Sequence, residues 1–173
     1  LIHLLGGQPN AGVSNTFGIG ALPECGVPNI TTADGPAGLR IQPEVGVCTT
    51  AWPCATLLAA TWDEDLVFRV GAAASAEVKE NNISVWLAPA VNIHRSPLCG
   101  RNFEYDSEDP LLAGKIAAAM VRGIQSRHIA ATVKHFACNN KETNRKNSDS
   151  RLSQRALREI YLRAFEIVTR EAD

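Results

Sequence analysis

The densest group of chemically useful side chains lies in residues 132–145, TVKHFACNNKETNR. Lys134 and His135 follow an apolar run, and two asparagines, a glutamate and Arg145 come after them. A short β-branched run that stops at ionisable and amide groups is typical of a buried strand with a polar site at its carboxyl end. Burying a Lys–His pair costs desolvation energy, so the pattern favours function. The alternative is that Lys134 pairs with a neighbouring carboxylate for stability alone.

Other charged residues also follow predicted strand ends. Asp34 ends the β-prone run 30–34, just before a Gly-Pro-Ala-Gly turn cluster, although an aspartate there is also typical of an Asx turn. Arg95 and Arg101 lie in residues 92–109, a charged connection of a length that is usually functional or disordered. Carboxylate and amide acceptors, together with Arg, Lys and His donors, can hold several sugar hydroxyls in fixed directions. These residues therefore predict a polyol-binding cradle.

Several other chemistries have little support in the sequence. The 4 histidines show neither H-x-x-x-H nor H-E-x-x-H spacing, so no metal site is expected. No G-x-S-x-G elbow is present, which counts against a serine hydrolase. No glycine-rich fingerprint follows a predicted strand, so no dinucleotide or nucleotide cofactor is expected. The 5 cysteines form no C-x-x-C pair and are predicted to be mostly free thiols, with one or two loop disulfides as the alternative.

Composition and charge limit the classes of partner. A chain of 173 residues with 45% hydrophobic and 20% charged residues is ordinary for one soluble globular domain. The net charge of -1 and the spread of basic residues predict no nucleic-acid face. No apolar stretch reaches the roughly 18–20 residues of a membrane span, so no membrane partner is predicted. No signal peptide is visible, which leaves the localisation unknown. Both ends interrupt apolar or periodic segments, so we expect a fragment.

Four short apolar runs are predicted to be strands and three segments to be helices. The first helix should begin at the capping box formed by Thr61 and Glu64, and the second at Asp109 followed by Pro110. The third has apolar residues recurring at helical spacing, with Ser150 or Ser153 as its cap. Residues 6–29 are predicted to be a loop. The predicted strands are 30–34, 55–60, 84–88 and 129–133. The first two predicted helices are 61–79 and 110–127, and the third has its helical periodicity over 157–168 with no stop signal after it.

Strands that alternate with helices predict a parallel sheet with helices on its faces. The informative charged residues all follow strand ends, which is where a (β/α)8 barrel has its active site. A whole barrel needs about 250 residues. The predicted fold class is therefore α/β, as the N-terminal part of a (β/α)8 TIM-like barrel that is incomplete, with residues 1–173 forming one partial barrel domain.

Four blocks in the chain resemble the N-terminal barrel of family 3 glycoside hydrolases, in the β-glucosidase branch. They occur in the same order as in that family and cover nearly the whole chain, which makes the resemblance more specific than any single motif. The blocks are ITTADGPAGLR at 30–40, NIHRSPLCGRNFEYDSEDP at 92–110, KHFACNN with ETNR at 134–145, and SQRALREIYLRAFE at 153–166.

The resemblance implies a role for each of five residues. Asp34 matches the aspartate that binds sugar hydroxyls far from the cleaved bond, and Arg101 matches a sugar-binding arginine. Lys134 and His135 match the pair that holds the glycone hydroxyls, and Arg145 matches an arginine near the nucleophile. Three further residues in these blocks are interpreted as supporting loop residues rather than direct ligands: Arg95, Glu104 and Glu142.

The chain departs from the family pattern in two ways. Lys141 stands where the family usually has glutamine. More importantly, the family's nucleophilic aspartate belongs to an S-D-W-type segment on a later strand, and its acid/base glutamate usually belongs to the following domain. Neither segment is present, so no catalytic residue is expected in this chain. The resemblance thus implies a retaining β-glucosidase whose remaining barrel and C-terminal domain complete the site, and a fragment that is inactive alone.

Rival interpretations remain open at this point. A β-xylosidase of the same family fits the same blocks, because discrimination of one carbon depends on loops that the sequence does not resolve. An N-acetylglucosaminidase usually has a KHFPGHG-type block, which KHFACNN lacks. A non-catalytic sugar-binding module would need the same cradle without the missing acids. An S-D-W-type aspartate downstream would distinguish the enzyme from the binding module.

Overall fold

The computed structural model describes residues 17–172, and its centre is a four-stranded sheet in the order β1-β2-β3-β4. Strands β1 and β2 pair antiparallel, whereas β2, β3 and β4 run parallel to one another. Ser84, which precedes β3, accepts a backbone hydrogen bond of 3.0 Å from Ala130. The strands are β1 at Phe17–Leu22, β2 at Val27–Asp34, β3 at Val85–Leu87 and β4 at Ala130–Ala131.

Helices connect the parallel strands, so the chain folds as an α/β structure in the predicted way. Between β2 and β3 the chain forms α1 and α2, between β3 and β4 it forms α3, and after β4 it forms α4 and α5. The helices are α1 at Ala55–Ala59, α2 at Glu64–Glu80, α3 at Pro110–Gln125, α4 at Gln154–Ala156 and α5 at Arg163–Glu171. None of the helices within residues 17–172 is both long and apolar enough to span a membrane.

Two element predictions were wrong. The predicted strand 55–60 is instead the short helix α1 at Ala55–Ala59, because alanine and leucine favour helix and Thr56 is the run's only β-branched residue. The Thr56 hydroxyl donates to the carbonyls of Asn102 and Tyr105 at 3.0 and 2.9 Å, which anchors α1 to the loop after β3. The predicted loop 6–29 contains β1, which pairs with β2. The part of that loop before residue 17 lies outside the described residues.

The helix starts agree with the sequence at α3 but differ at α2. Asp109 caps α3 by accepting from the backbone N–H of Leu111 at 2.7 Å. At α2 the cap is Asp63, whose carboxylate accepts from Leu66 N–H at 2.8 Å. The predicted cap residue Thr61 instead donates its hydroxyl proton to the carbonyl of Leu58 at 2.6 Å, so it closes α1.

The last predicted helix is interrupted. Ser153 caps α4, since its hydroxyl accepts from Ala156 N–H at 3.1 Å. The segment Leu157–Tyr161 then adopts π-helical geometry before α5 begins. A single inserted π turn of this kind is common at functional sites. Here it lies beside the loop that carries the candidate site, and Tyr161 contacts Arg95 through a cation–π arrangement with the guanidinium 5.9 Å from the ring centroid.

The core lies between the sheet and helices α2, α3 and α5. Trp86 of β3 is 1% exposed and packs among alanine and isoleucine side chains of α3. Helices α2 and α3 approach closely because glycines face each other at their contact. A Cβ added to Gly123 would lie 2.3 Å from the carbonyl oxygen of Phe68, and one added to Gly71 would lie 2.7 Å from that of Met120. This packed layer holds the carboxyl ends of β2, β3 and β4 side by side.

Candidate functional site

The candidate site forms at the carboxyl ends of the parallel strands. Asp34 is the last residue of β2, and Lys134 lies three residues after β4. The chain after β3 continues alongside the chain after β4, because Lys134 N–H donates to Pro89 at 3.0 Å and Val91 N–H donates to the Lys134 carbonyl at 2.7 Å. The polar residues that follow the strands therefore meet at one edge of the sheet, as the sequence predicted.

Asp34 and Lys134 form an ion pair across the sheet edge. The Lys134 ammonium donates to Asp34 Oδ1, which also accepts from Gly35 N–H at 2.8 Å. Arg40 Nη1 lies 3.6 Å from Asp34 Oδ2. Burial raises the pKa of Asp34, but the hydrogen bond and charge of Lys134, with smaller effects from Gly35 and Arg40, outweigh burial and lower it. The Asp34 carboxylate is therefore ionised and points its acceptors at the sheet edge.

Arg101 is held by two carboxylates and touches His135. Its Nε donates to Glu104, a glutamate that is only 4% exposed, and its Nη1 lies 3.7 Å from Glu142 Oε2. Its Nη2 lies 2.9 Å from His135 Nε2. Burial alone would lower the pKa of Arg101, but the hydrogen bond and charge of Glu104 and the charge of Glu142 outweigh burial and raise the pKa above its ordinary value. The guanidinium therefore stays charged. The planar guanidinium is thus fixed in orientation beside the histidine ring.

Both the main chain and the ring of His135 are anchored. Asn92 accepts from the His135 backbone N–H at 2.8 Å and donates to the His135 carbonyl at 3.0 Å. The ring Nδ1 lies 3.3 Å from both Asn92 Oδ1 and Tyr105 Oη. Burial and the positive charges of Arg101 and Lys134 lower the pKa of His135 to about 4. The imidazole is therefore neutral at physiological pH.

Arg145 is linked to this group through a carboxylate. It opens the 3₁₀ turn Arg145–Asn147, and its Nη1 donates to Glu142 Oε1 at 2.9 Å. Because Glu142 also lies 3.7 Å from Arg101, it bridges the two arginines. The structure thus brings Asp34, Lys134, Arg101 and His135 into direct pairwise contacts and attaches Arg145 at the rim. Arg95 contacts the Tyr161 ring instead.

The sequence analysis assigned no individual role to four uncharged residues that shape the site. Asn92 and Tyr105 hold His135, Asn139 holds the Tyr105 hydroxyl at 3.1 Å, and Asn140 donates to the carbonyl of Ile93. Amides and tyrosines are common in loops, so their type alone carried no signal. The useful signal was position, since Asn92 follows β3 within the block 92–110, at the same strand edge as Lys134.

The described residues offer donors and acceptors rather than metal ligands. Across residues 17–172, no group of three His, Cys, Asp or Glu side chains is placed to hold a metal ion. All of the cysteines are free thiols: Cys25, Cys48, Cys54, Cys99 and Cys138. Fixed carboxylate, ammonium, guanidinium and imidazole groups at one edge can form several directional hydrogen bonds to a polyhydroxylated ligand. The arrangement is chemically suited to bind a ligand with several hydroxyl groups.

Comparison with known proteins decides the family. The sequence profile described as the glycosyl hydrolase family 3 N terminal domain matches residues 21–173. The chain belongs to glycosyl hydrolase family 3. Among its relatives, beta-glucosidase A of Butyrivibrio fibrisolvens is 71% identical over 171 residues, which is 99% of this chain and 21% of that protein. Thermostable beta-glucosidase B of Acetivibrio thermocellus is 47% identical over 155 residues, which is 85% of this chain and 20% of that protein.

Solved structures of the family superpose closely. Beta-glucosidase 3B of Thermotoga neapolitana in complex with α-D-glucose matches with a TM-score of 0.89 and 48% identity, over 98% of this chain and 24% of that one. Beta-glucosidase of Kluyveromyces marxianus in complex with glucose matches with a TM-score of 0.88 and 38% identity, over 99% and 20%. The chain therefore has the α/β fold of part of the family's barrel and spans about a fifth of the length of its relatives.

Proposed function

We propose that this chain is the sugar-binding part of a longer retaining β-glucosidase that hydrolyses terminal, non-reducing β-D-glucosyl residues. Membership of family 3 and the beta-glucosidase names of its relatives support this proposal. The observation that carries it is the convergence of Asp34, Lys134, Arg101 and His135 at one sheet edge, where each side chain is oriented by a neighbour. Such groups can hold the hydroxyls of the glycone, the sugar unit that is released.

Each residue has a distinct part in the proposed cradle. The ionised carboxylate of Asp34 accepts hydrogen bonds from sugar hydroxyls, and the Lys134 ammonium beside it donates. Arg101 donates from a guanidinium that Glu104 holds in place. His135 adds a neutral imidazole at the other side of Arg101. Arg145 extends from the rim, where it forms a half-exposed ion pair with Glu142, and we assign it to the side of the cradle that faces the nucleophile.

The catalytic carboxylates are proposed to come from the rest of the protein. A retaining glycosidase needs a nucleophile and an acid/base about 5–5.5 Å apart. The carboxylates at this sheet edge already have basic partners: Asp34 binds Lys134, Glu104 binds Arg101 and Glu142 binds Arg145. Ion pairs of this kind hold the carboxylates in place, and we infer that these groups orient the sugar-binding cations instead of forming the catalytic pair. The remaining barrel and the C-terminal domain are therefore needed for catalysis.

Parallel assays of the long and short forms of the protein test the proposal. The full-length protein and the isolated chain of residues 1–173 are assayed with aryl β-glucoside and aryl β-xyloside, and the anomer first released is followed by proton NMR. We expect the full-length protein to prefer the glucoside and to release β-glucose, and the isolated chain to show no turnover. Preference for the xyloside, release of α-glucose or turnover by the isolated chain would each contradict the corresponding part of the proposal.

A further inference from the structure

The amide of Asn92 can face the main chain of His135 in only one way. The backbone N–H of His135 is a donor and lies 2.8 Å from Asn92 Oδ1, while the backbone carbonyl is an acceptor and lies 3.0 Å from Nδ2. A flipped amide would set two donors against each other and two acceptors against each other. Asn92 is 2% exposed, so water cannot substitute for either partner. The position of its acceptor oxygen is therefore fixed.

That fixed oxygen determines the proton on one ring nitrogen of His135. Asn92 Oδ1 only accepts and lies 3.3 Å from Nδ1, so Nδ1 must carry hydrogen. The Tyr105 hydroxyl, also 3.3 Å from Nδ1, donates its own proton to the carbonyl of Asn139 at 3.0 Å. With its proton on the shorter contact to Asn139, it accepts from Nδ1. Asn92 requires a protonated Nδ1, and the shorter contact of the Tyr105 hydroxyl to Asn139 agrees with it.

The other ring nitrogen faces a group that can only donate. Arg101 Nη2 lies 2.9 Å from His135 Nε2, and a guanidinium has no acceptor. Nε2 must therefore carry a lone pair. The constraints on Nδ1 and Nε2 come from different residues and agree on one neutral tautomer.

We propose that Asn92 and Tyr105 are positioning residues that hold His135 as its Nδ1–H tautomer, so that Nε2 accepts from Arg101 and fixes the direction of its guanidinium. Nε2 has a single lone pair, so this contact uses its whole acceptor capacity. The inference rests on the proposed function only in placing the glycone at Arg101.

The charges around the ring keep it neutral. Arg101 and Lys134 face it with positive charge, Arg145 adds a smaller positive contribution, and the negative charge of Asp34 opposes them. Together with burial they place the pKa of His135 at about 4. The acceptor form of Nε2 therefore persists between about pH 5 and pH 8 in the wild-type protein.

The tautomer can be measured directly. Full-length protein labelled with ¹⁵N-histidine is examined by NMR between about pH 6 and pH 8, where a histidine of ordinary pKa would change its charge, and the His135 signals are assigned from their loss in His135→Gln. We expect a protonated Nδ1 and an unprotonated Nε2. A protonated Nε2, in either the other tautomer or the imidazolium, would overturn the inference. This measurement needs no turnover, so it is independent of the proposed function.

Two variants separate positioning from a merely structural role. In Asn92→Asp the new carboxylate beside Nδ1–H stabilises the imidazolium, so kcat/KM should fall about tenfold more at pH 5 than at pH 8. In Tyr105→Phe the ring loses one acceptor while Asn92 keeps the tautomer, so KM should rise and the pH profile should keep its wild-type shape. The exposed Asn147→Asp is the matched control. Equal losses at every pH in Asn92→Asp would overturn the positioning role.

If the wild-type protein hydrolyses no β-glucoside, the proposed function fails while the NMR result still decides the tautomer.

Discussion

Asp34 and Lys134 are 100 residues apart in the chain, and their ion pair joins β2 to the segment after β4. The Asp34 side chain is 34% exposed and the Lys134 side chain is 12% exposed. A pair buried on all sides would suit a structural role. Here the carboxylate stays accessible from the sheet edge while its charge is maintained by the lysine, which is the condition that an acceptor for sugar hydroxyls requires.

Replacing the Asp34 carboxylate tests that role. In the full-length protein, Asp34→Asn removes a charged acceptor and leaves Lys134 without its partner. A hydrogen bond to a charged group contributes about 1.5–3 kcal/mol, so kcat/KM for an aryl β-glucoside should fall by about 10- to 150-fold. The control is Asp149→Asn, which removes an exposed ion pair to Arg151 with a 2.8 Å contact and should leave kcat/KM unchanged. Equal effects of both variants would contradict a sugar-binding role for Asp34.

Asp106 is a buried carboxyl group outside the cradle. It is 6% exposed, and among the described residues its Oδ2 has no hydrogen-bond partner. Burial raises its pKa well above the ordinary value of 3.8. The folded protein therefore retains a proton that the unfolded chain releases, so this carboxyl destabilises the fold increasingly as the pH rises above 3.8.

Asp106→Asn should remove that pH-dependent cost. The amide resembles the protonated acid in shape but does not ionise, so the variant should have a higher Tm than the wild type at pH 7. The difference in unfolding free energy should shrink by up to about 1.4 kcal/mol for each pH unit on lowering the pH towards 5. Thermal unfolding of the full-length protein at several pH values measures it, with Asp149→Asn as the exposed control. A constant Tm difference would show that ionisation of Asp106 is not its cause.

At the scale of elements, the sequence predicted what depends on local pattern and failed where tertiary contacts decide. Helices α2 and α3 and strand β3 follow from apolar periodicity and from the Asp109–Pro110 start. Residues 55–60 were misassigned because a six-residue apolar run has no visible period. The candidate site followed the same rule: charged Asp34 and Lys134 stood out at strand ends, whereas the contact of Asn92 with His135 is formed only by the fold.

The contact between α2 and α3 depends on Gly123. An added Cβ there would lie 2.3 Å from the Phe68 carbonyl oxygen and 3.0 Å from the Ala72 backbone nitrogen, and neither backbone atom can move without displacing α2. Gly123→Ala should therefore destabilise the barrel by about 1–3 kcal/mol through overpacking, seen as a lower Tm. Gly100→Ala is the control, since its Cβ would meet Glu142 at an ordinary 3.5 Å. An unchanged Tm in Gly123→Ala would contradict this close contact.

At the scale of the whole molecule, the sheet has an open side. In the part of the chain that the structure describes, β4 pairs with β3 on one side and forms the edge on the other. Near this edge Phe136 is 77% exposed, although its ring packs edge-on against Phe165 at a centroid distance of 5.2 Å. Exposed backbone donors beside apolar side chains favour edge-to-edge association. In the family's relatives, which are about five times as long, further chain is available to cover such an edge.

The isolated chain of residues 1–173 should consequently self-associate. We expect it to elute from size-exclusion chromatography above the size of its 18.6 kDa monomer and to bind a dye that reports exposed apolar surface. Co-expression with the remainder of the full-length protein, as a separate chain, should reduce both signals and restore β-glucosidase activity, because under the proposed function the second chain supplies further strands and the catalytic carboxylates. Co-expression with an unrelated barrel fragment is the control, and it should neither reduce the two signals nor restore activity. A monomeric chain that does not bind the dye would show that the exposed edge of β4 does not drive association. The remainder of the protein would then be needed only to supply the catalytic groups.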